Sequence, residues 1–181
     1  MKKTLLSTLL ATTAFFSASA AFAADGTVNF TGSITETACI VDTPSATLSV
    51  PLGKISAKSF AGAGTTAPAT KFTLVVKSCP EATTASVNFD GTSVSGDNNV
   101  LALTTGAGVA TGVGVQISDK AGNPVPLRGL SGSYDLKKGD PAGGAGDVTN
   151  ALEFTARYIA TAVKVGAGTA NASTNFTIVY N

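Results

Sequence analysis

Short segments in which apolar and polar residues alternate recur along most of this 181-residue chain. Alternation places the apolar side chains of a segment on one face, as in a β-strand with one buried face. The clearest positions are Leu48, Val50 and Leu52; Phe72, Leu74 and Val76; Val87 and Phe89; Val100 to Leu103; Val113, Val115 and Ile117; Leu152, Phe154, Ala156 and Tyr158; and Phe176, Ile178 and Tyr180. Clusters such as Asp97-Asn98-Asn99 and Ala121-Gly122-Asn123-Pro124 predict turns between them.

The number and spacing of these segments indicate the fold class. About seven short strands, with no amphipathic helix longer than a turn or two, predict an all-β fold. The arrangement typical of such a pattern is a β-sandwich of immunoglobulin type. Residues 137–150 contain four glycines and predict a long exposed loop.

The first residues have the features of an export signal. Lys2 and Lys3 precede an apolar run over residues 5–16, and Ala21-Phe22-Ala23 forms a small-residue cleavage site. The run is shorter than the ~20 residues of a membrane span. We therefore expect residues 1–23 to be a signal peptide, and the rest of the chain to form one exported domain.

Cys39 and Cys79 are the two cysteines of the chain. An exported protein meets an oxidising compartment, so a disulfide between them is the expected state. The alternative is a metal site, but two thiolates in a chain with no histidine would hold a metal poorly. We expect neither a metal nor another cofactor.

The composition argues against catalysis and nucleic-acid binding. A chain without histidine lacks the usual general base and the Ser-His-Asp or Cys-His pairs. No G-x-S-x-G or S-x-x-K nucleophile motif is present, and the glycines at 106, 108, 112 and 114 do not form G-x-G-x-x-G. Without Lys2 and Lys3, acidic and basic side chains nearly balance and form no run, so no nucleic-acid partner is expected.

The segment after the signal peptide alternates as well. Val28, Phe30, Gly32 and Ile34 share one face of residues 26–36. This segment could be the first strand of the sandwich. However, Gly32 in its middle is unusual, because glycine weakens a strand unless another group approaches closely there.

Several motifs together resemble one known family. In chain order they are GTVNFTGSITETACIVD, LGKISAKSF, NVLAL, VGVQISDKAG, FTARYIAT and NFTIVYN. They resemble the major subunits, or pilins, of type 1 fimbriae assembled by the chaperone-usher pathway. The resemblance implies an incomplete immunoglobulin-like sandwich that lacks its final strand and has an open groove beside its last strand. In that family a periplasmic chaperone lends a strand to the groove, and the N-terminal extension of the next subunit later replaces it.

The resemblance also implies roles for particular residues. Residues 24–37 would be the donor-strand extension and residues 38–181 the pilin domain. The donor strand would present Val28, Phe30, Gly32 and Ile34, with Gly32 where the groove has no space for a side chain. The C-terminal strand recognised by the chaperone would include Gly168, Phe176, Ile178, Tyr180 and Asn181, whose carboxylate would be the chaperone's anchor.

The function expected from these features is structural and not enzymatic. The chain would be a shaft subunit of an extracellular fimbrium, exported through the periplasm and supporting cell adhesion. Its partners would be other copies in a head-to-tail polymer, a periplasmic pilus chaperone, an outer-membrane usher and minor tip pilins. The alternatives are a minor adaptor pilin, or a self-contained secreted β-sandwich binding module that uses residues 28–34 as a strand of its own.

Overall fold

The computed structural model describes residues 26–32, 34, 38–140, 142, 144 and 147–181. The predicted signal peptide, residues 1–23, lies outside them. The chain divides into two units after Ile34. Among the described residues, no helix is long and apolar enough to cross a membrane.

The second unit is a β-sandwich. In the described part of the chain its strands are β1 (Ile40–Val41), β2 (Thr70–Lys77), β3 (Thr83–Asp90), β4 (Ser93–Val94), β5 (Asp97–Leu101), β6 (Val113–Ser118), β7 (Tyr134–Leu136), β8 (Thr149–Ala160) and β9 (Asn175–Tyr180). A single-turn helix, α1 (Thr43–Ala46), and a 3-10 turn at Ala57–Ser59 are the helical elements there. One sheet has the order β1-β2-β8-β6-β5-β4 and the other β7-β3-β9, and all pairs are antiparallel. The all-β, immunoglobulin-like prediction is confirmed.

The core lies between the inner faces of the two sheets. Phe72 of β2 is opposite Phe154 of β8, and their rings stack with centroids 5.5 Å apart. Phe89 of β3, in the other sheet, meets Phe154 edge to face at 5.2 Å. Offset-stacked and edge-to-face pairs are the favourable arrangements of aromatic rings. This cluster therefore joins the two sheets at the centre of the sandwich.

Most alternating segments form strands, but two local predictions were wrong. Leu48, Val50 and Leu52 do not form a strand; residues 48–52 run without a backbone ladder. A strand needs a partner for its backbone as well as an apolar face, and no described strand pairs with this segment. The turn predicted at Asp97-Asn98-Asn99 is also absent, because these residues begin β5. The turn from β4 consists of Ser95 and Gly96, with Gly96 at φ +83°, a conformation that favours glycine.

The predicted disulfide between Cys39 and Cys79 is present. Cys79 is completely buried, and the Gly139 amide donates to its carbonyl at 2.9 Å. The Lys137 amide donates to the Asn150 side-chain oxygen at 2.7 Å, and the Asn150 amide group donates back to the Lys137 carbonyl at 3.0 Å. The predicted loop over residues 137–150 is therefore fixed at both ends, beside the disulfide.

Candidate functional site

A long groove opens along one side of the sandwich. Its volume is about 780 Å³. One wall is the segment 45–53, which includes Val50 and Leu52, and the other is the segment 170–174 that leads into β9. The floor consists of inward-facing side chains of both sheets: Phe72, Leu74, Phe89, Leu101, Val115, Ile117, Ala156, Tyr158 and Phe176. The groove therefore gives access to the core of the sandwich.

The strand β9 runs beside this groove at the edge of its sheet. All six of its residues pair with β3, from Asn175 opposite Asp90 to Tyr180 opposite Ala85. Within the described residues, no strand pairs with its other edge. Phe176, Ile178 and Tyr180 are half-buried and pack on the core, so the open edge lies next to apolar side chains. An edge of this kind is a template for another strand.

A second, smaller compartment of about 440 Å³ adjoins the groove. Gly53, Tyr158, Ala170 and Asn171 line both compartments. Tyr158 belongs to β8, opposite Val115 of β6, and its hydroxyl donates to the Ala170 carbonyl at 2.9 Å. Burial raises the pKa of the Tyr158 phenol. This side chain therefore connects the floor to one wall where the compartments meet.

Gly168 lines the smaller compartment at a point of close backbone approach. A Cβ at this position would lie only 2.5 Å from the Gly108 carbonyl oxygen and would also overlap Val109 and Ala110 backbone atoms. The neighbouring Thr169 holds this contact through its amide, which donates to Gly108 at 2.8 Å, and its carbonyl, which accepts from Ala110 at 2.9 Å. Glycine is required here by packing within the subunit.

The C-terminal residues are fixed close to the disulfide. The Tyr180 hydroxyl donates to the Cys39 carbonyl at 3.5 Å, and burial raises the pKa of this phenol. The Asn181 amide donates to the Thr84 carbonyl at 2.9 Å, and the Thr83 hydroxyl donates to Asn181. Of the predicted C-terminal set, Phe176, Ile178 and Tyr180 lie together in β9, and Asn181 follows directly. Gly168 lies apart from them, in the lining of the smaller compartment.

The predicted donor residues are exposed in the subunit. Val28 is 76% exposed, Phe30 is 93% exposed and Ile34 is fully exposed. No atom lies within 4 Å of the position that a Cβ would take at Gly32. These residues belong to the unit before the sandwich and do not form a strand within it.

Sequence reasoning missed two parts of the groove, its walls and Tyr158. Tyr158 continues the alternation of Phe154 and Ala156 in β8, so its pattern is that of any core residue. The walls, residues 45–53 and 170–174, are far apart in sequence. The alternation of Leu48, Val50 and Leu52 marks one of them as apolar, but it does not distinguish a groove wall from a strand.

A family model described as "Fimbrial protein" matches residues 28–181. The chain belongs to the fimbrial protein family. It is 34% identical over 163 residues to the "Probable major fimbrial subunit LpfA" of Escherichia coli O157:H7, covering 89% of this chain and 86% of that relative. It is 38% identical over 159 residues to the "Type-1 fimbrial protein, A chain" of Escherichia coli strain K12, covering 86% of this chain and 83% of that relative.

A solved chaperone-usher pilus has the same fold as this chain. The TM-score is 0.62 at 21% sequence identity, over 87% of this chain and 96% of that pilus subunit. The family resemblance inferred from the motifs is therefore confirmed. As a fimbrial subunit, the protein is a structural component of extracellular fimbriae and not an enzyme.

Proposed function

We propose that this subunit polymerises by donor-strand exchange: residues 28–34 of one copy fill the groove of the next. The observation that carries the proposal is a complementarity between two surfaces. One surface is an apolar groove beside the open edge of β9. The other is an exposed segment whose apolar side chains alternate with the period of a strand.

The two groove compartments match the donor sequence in size. Side chains on one face of a strand follow each other at intervals of ~6.6–6.8 Å. We assign Val28 and Phe30 to the large compartment, of about 780 Å³, and Ile34 to the small one, of about 440 Å³. In this register Gly32 lies between them. The acceptor chain runs from the small compartment through residues 170–174 into β9. The donor runs the other way, from Val28 in the large compartment to Ile34 in the small one. The donor strand is therefore antiparallel to β9.

The exchange would be strongly favourable. Burying the three donor side chains contributes roughly 1.5–3 kcal/mol each before ordering costs. Backbone hydrogen bonds to the β9 edge add to this. The donor segment and the groove are different surfaces, so the contact is heterologous and extends into an open head-to-tail filament.

The open groove explains why the subunit would need partners before assembly. An apolar groove beside an unpaired edge aggregates unless another strand covers it. A periplasmic chaperone would supply that strand, with the β9 edge as its template. An outer-membrane usher would exchange it for the next subunit, and minor tip pilins would end the fibre.

The major shaft subunit is the favoured position in the fibre. The relative from E. coli O157:H7 is named as a probable major fimbrial subunit, and this chain covers most of its length. A shaft subunit needs both a donor segment and a groove, and in this proposal the exposed segment 28–34 and the apolar groove beside β9 take these two roles. An adaptor pilin would have the same two surfaces, so relative abundance in the fibre distinguishes the two roles.

The test is electron microscopy of cells that express the chain with a pilus chaperone and usher. We expect fibres from the wild type and none from Phe30→Asp, because a charge cannot be buried in the apolar groove without a large cost. Thr31→Asp is the matched control: its side chain lies on the other face of the donor strand, and fibres should form. Normal fibres from Phe30→Asp would refute the proposal.

A further inference from the structure

We infer that Glu36 of one copy forms an ion pair with a basic rim on the next copy. The basic rim consists of Lys54, Lys58 and Lys164, around the small compartment of the groove. This inference rests on the donor-strand proposal and adds a charged contact to the apolar one. The contact holds the donor where its strand leaves the groove and speeds the encounter between the two copies.

The position of the three lysines is the first argument. The walls of the groove continue along the small compartment in the stretches 53–60 and 165–171. Lys54 lines the compartment, and Lys58 belongs to the 3-10 turn that follows on the same wall. On the other wall, Lys164 directly precedes the first of the lining residues. All three lysines are exposed.

No carboxylate of the walls offsets these charges. Residues 43–80 and 154–181 contain both walls and all three lysines, and they include no Asp or Glu. Among the described residues, the one salt bridge joins Lys77 to Asp42, so it leaves the basic rim without a partner there. A cleft lined by charges of one sign attracts a group of the opposite sign.

The charge of the donor extension is opposite to that of the basic rim. Residues 24–37 contain Asp25 and Glu36 and no Lys or Arg. Glu36 lies outside the described residues, but its place in the alternation makes it the next residue after Ile34 on the face that enters the groove. Side chains on this face follow each other at ~6.6–6.8 Å. With Ile34 in the small compartment, Glu36 therefore comes to its outer end.

The direction of the donor strand brings Glu36 to the basic rim and not to another part of the groove. The donor passes from the large compartment to the small one between Gly53 and Asn171, which line both. Beyond this junction, one wall leads through Lys54 towards Lys58, and the other leads back to Lys164. No lysine lines the large compartment. The positive charges therefore lie on the side where the donor leaves the groove.

The experiment follows the initial rate of fibre formation from purified chaperone-bound subunits, at low and at high salt. Full chains are used, since each copy carries both surfaces. Charges at the rim of an interface act mainly on the association rate and its salt dependence. Glu36→Lys should slow assembly about fivefold or more at about 0.05 M salt. The slowing should fall below about twofold at about 0.5 M salt, where the Debye length is only about 4 Å.

A charge swap identifies the partner of Glu36. Lys54→Glu combined with Lys164→Glu should slow assembly in the same salt-dependent way. Adding Glu36→Lys to that chain should restore at least about half of the wild-type rate, because the two surfaces again have opposite charges. Glu153→Lys is the matched control: it makes the same change in net charge at an exposed position of β8 that does not line the groove, and the rate should be unchanged.

A milder variant guards against misfolding. Glu36→Gln keeps the shape of the side chain and removes its charge, so it should slow assembly about twofold to threefold at low salt only. Folding of every variant is checked by the yield of chaperone-bound subunit without free thiols.

Rescue of Glu36→Lys by the two lysine reversals supports the inference. The inference is overturned if both Glu36 variants assemble at the wild-type rate at low salt, if they slow assembly equally at both salt concentrations, or if the charge swap gives no rescue. Each of these results leaves the donor-strand proposal standing as long as Phe30→Asp still abolishes fibres. If Phe30→Asp assembles normally as well, both proposals fail.

Discussion

Replacing Phe30 by alanine tests how much one donor side chain contributes to the fibre. Phe30 is 93% exposed in the subunit, and the donor-strand proposal buries it in the large compartment of a neighbour. Burial of a phenylalanine side chain is worth about 1.5–3 kcal/mol, and the cavity left by truncation adds to the loss. We expect a loss of about 3 kcal/mol, which corresponds to roughly 150-fold in the dissociation constant.

The loss should appear mainly in the dissociation rate, as is usual for substitutions within one interface. The assay follows the release of monomers from purified fibres in a fixed concentration of guanidinium chloride. Thr31→Ala is the control and should stay within about 0.5 kcal/mol of wild type, because its side chain faces away from the groove. Equal release rates for Phe30→Ala and wild type, or an equally large effect of Thr31→Ala, would refute the proposed burial of this face.

Three other predictions follow from the sandwich itself. Replacing both Cys39 and Cys79 by alanine should lower the free energy of unfolding by about 4 kcal/mol on the chain-entropy model, because the disulfide closes a separation of 40 residues. A denaturant titration that gives the same free energy of unfolding would contradict a stabilising role of the disulfide. Desolvation by burial raises the pKa of Tyr134 to about 12. The contribution of this neutral phenol to stability is therefore complete below pH 10 and is lost as the pH rises through about 12. Phenolate absorbance that develops fully by pH 10 in the folded protein would exclude the raised pKa. Gly168→Ala should reduce the yield of folded subunit, because the added methyl group would overlap residues 108–110. The control is Gly122→Ala, at a turn with open space around it, which should lower the free energy of unfolding by only about 1–2 kcal/mol for its left-handed backbone. Equal yields of wild type and Gly168→Ala would contradict the packing argument.

The strands could be predicted from sequence where each one has both an apolar face and a backbone partner. Leu152, Phe154 and Ala156 alternate in β8, which pairs with β2 and β6 on its two sides. The segment 48–52 has the same alternation, but none of the strands in the described part of the chain lies beside it. Alternation reports which side chains are buried and says nothing about hydrogen-bond partners, so it predicted a strand where a groove wall occurs.

The groove could be predicted only through the family resemblance. Its walls and floor come from residues that are distant in sequence and meet only in the folded sandwich. Tyr158 is an example. Its place in the alternating sequence of β8 indicates that its side chain is buried, but its hydrogen bond to Ala170 depends on the path of the chain before β9, which no local pattern shows. The strands β1, β4 and β7 have two or three residues each, too few for a period to be visible.

A fibre structure by electron cryomicroscopy would show directly whether one copy donates a strand to the next. We expect residues 28–34 of one copy to lie in the groove of the next, between residues 45–53 and β9 and antiparallel to β9. Phe30 should occupy the large compartment and Ile34 the small one. A fibre in which each copy fills its own groove, or in which the subunits meet through other surfaces, would contradict the account.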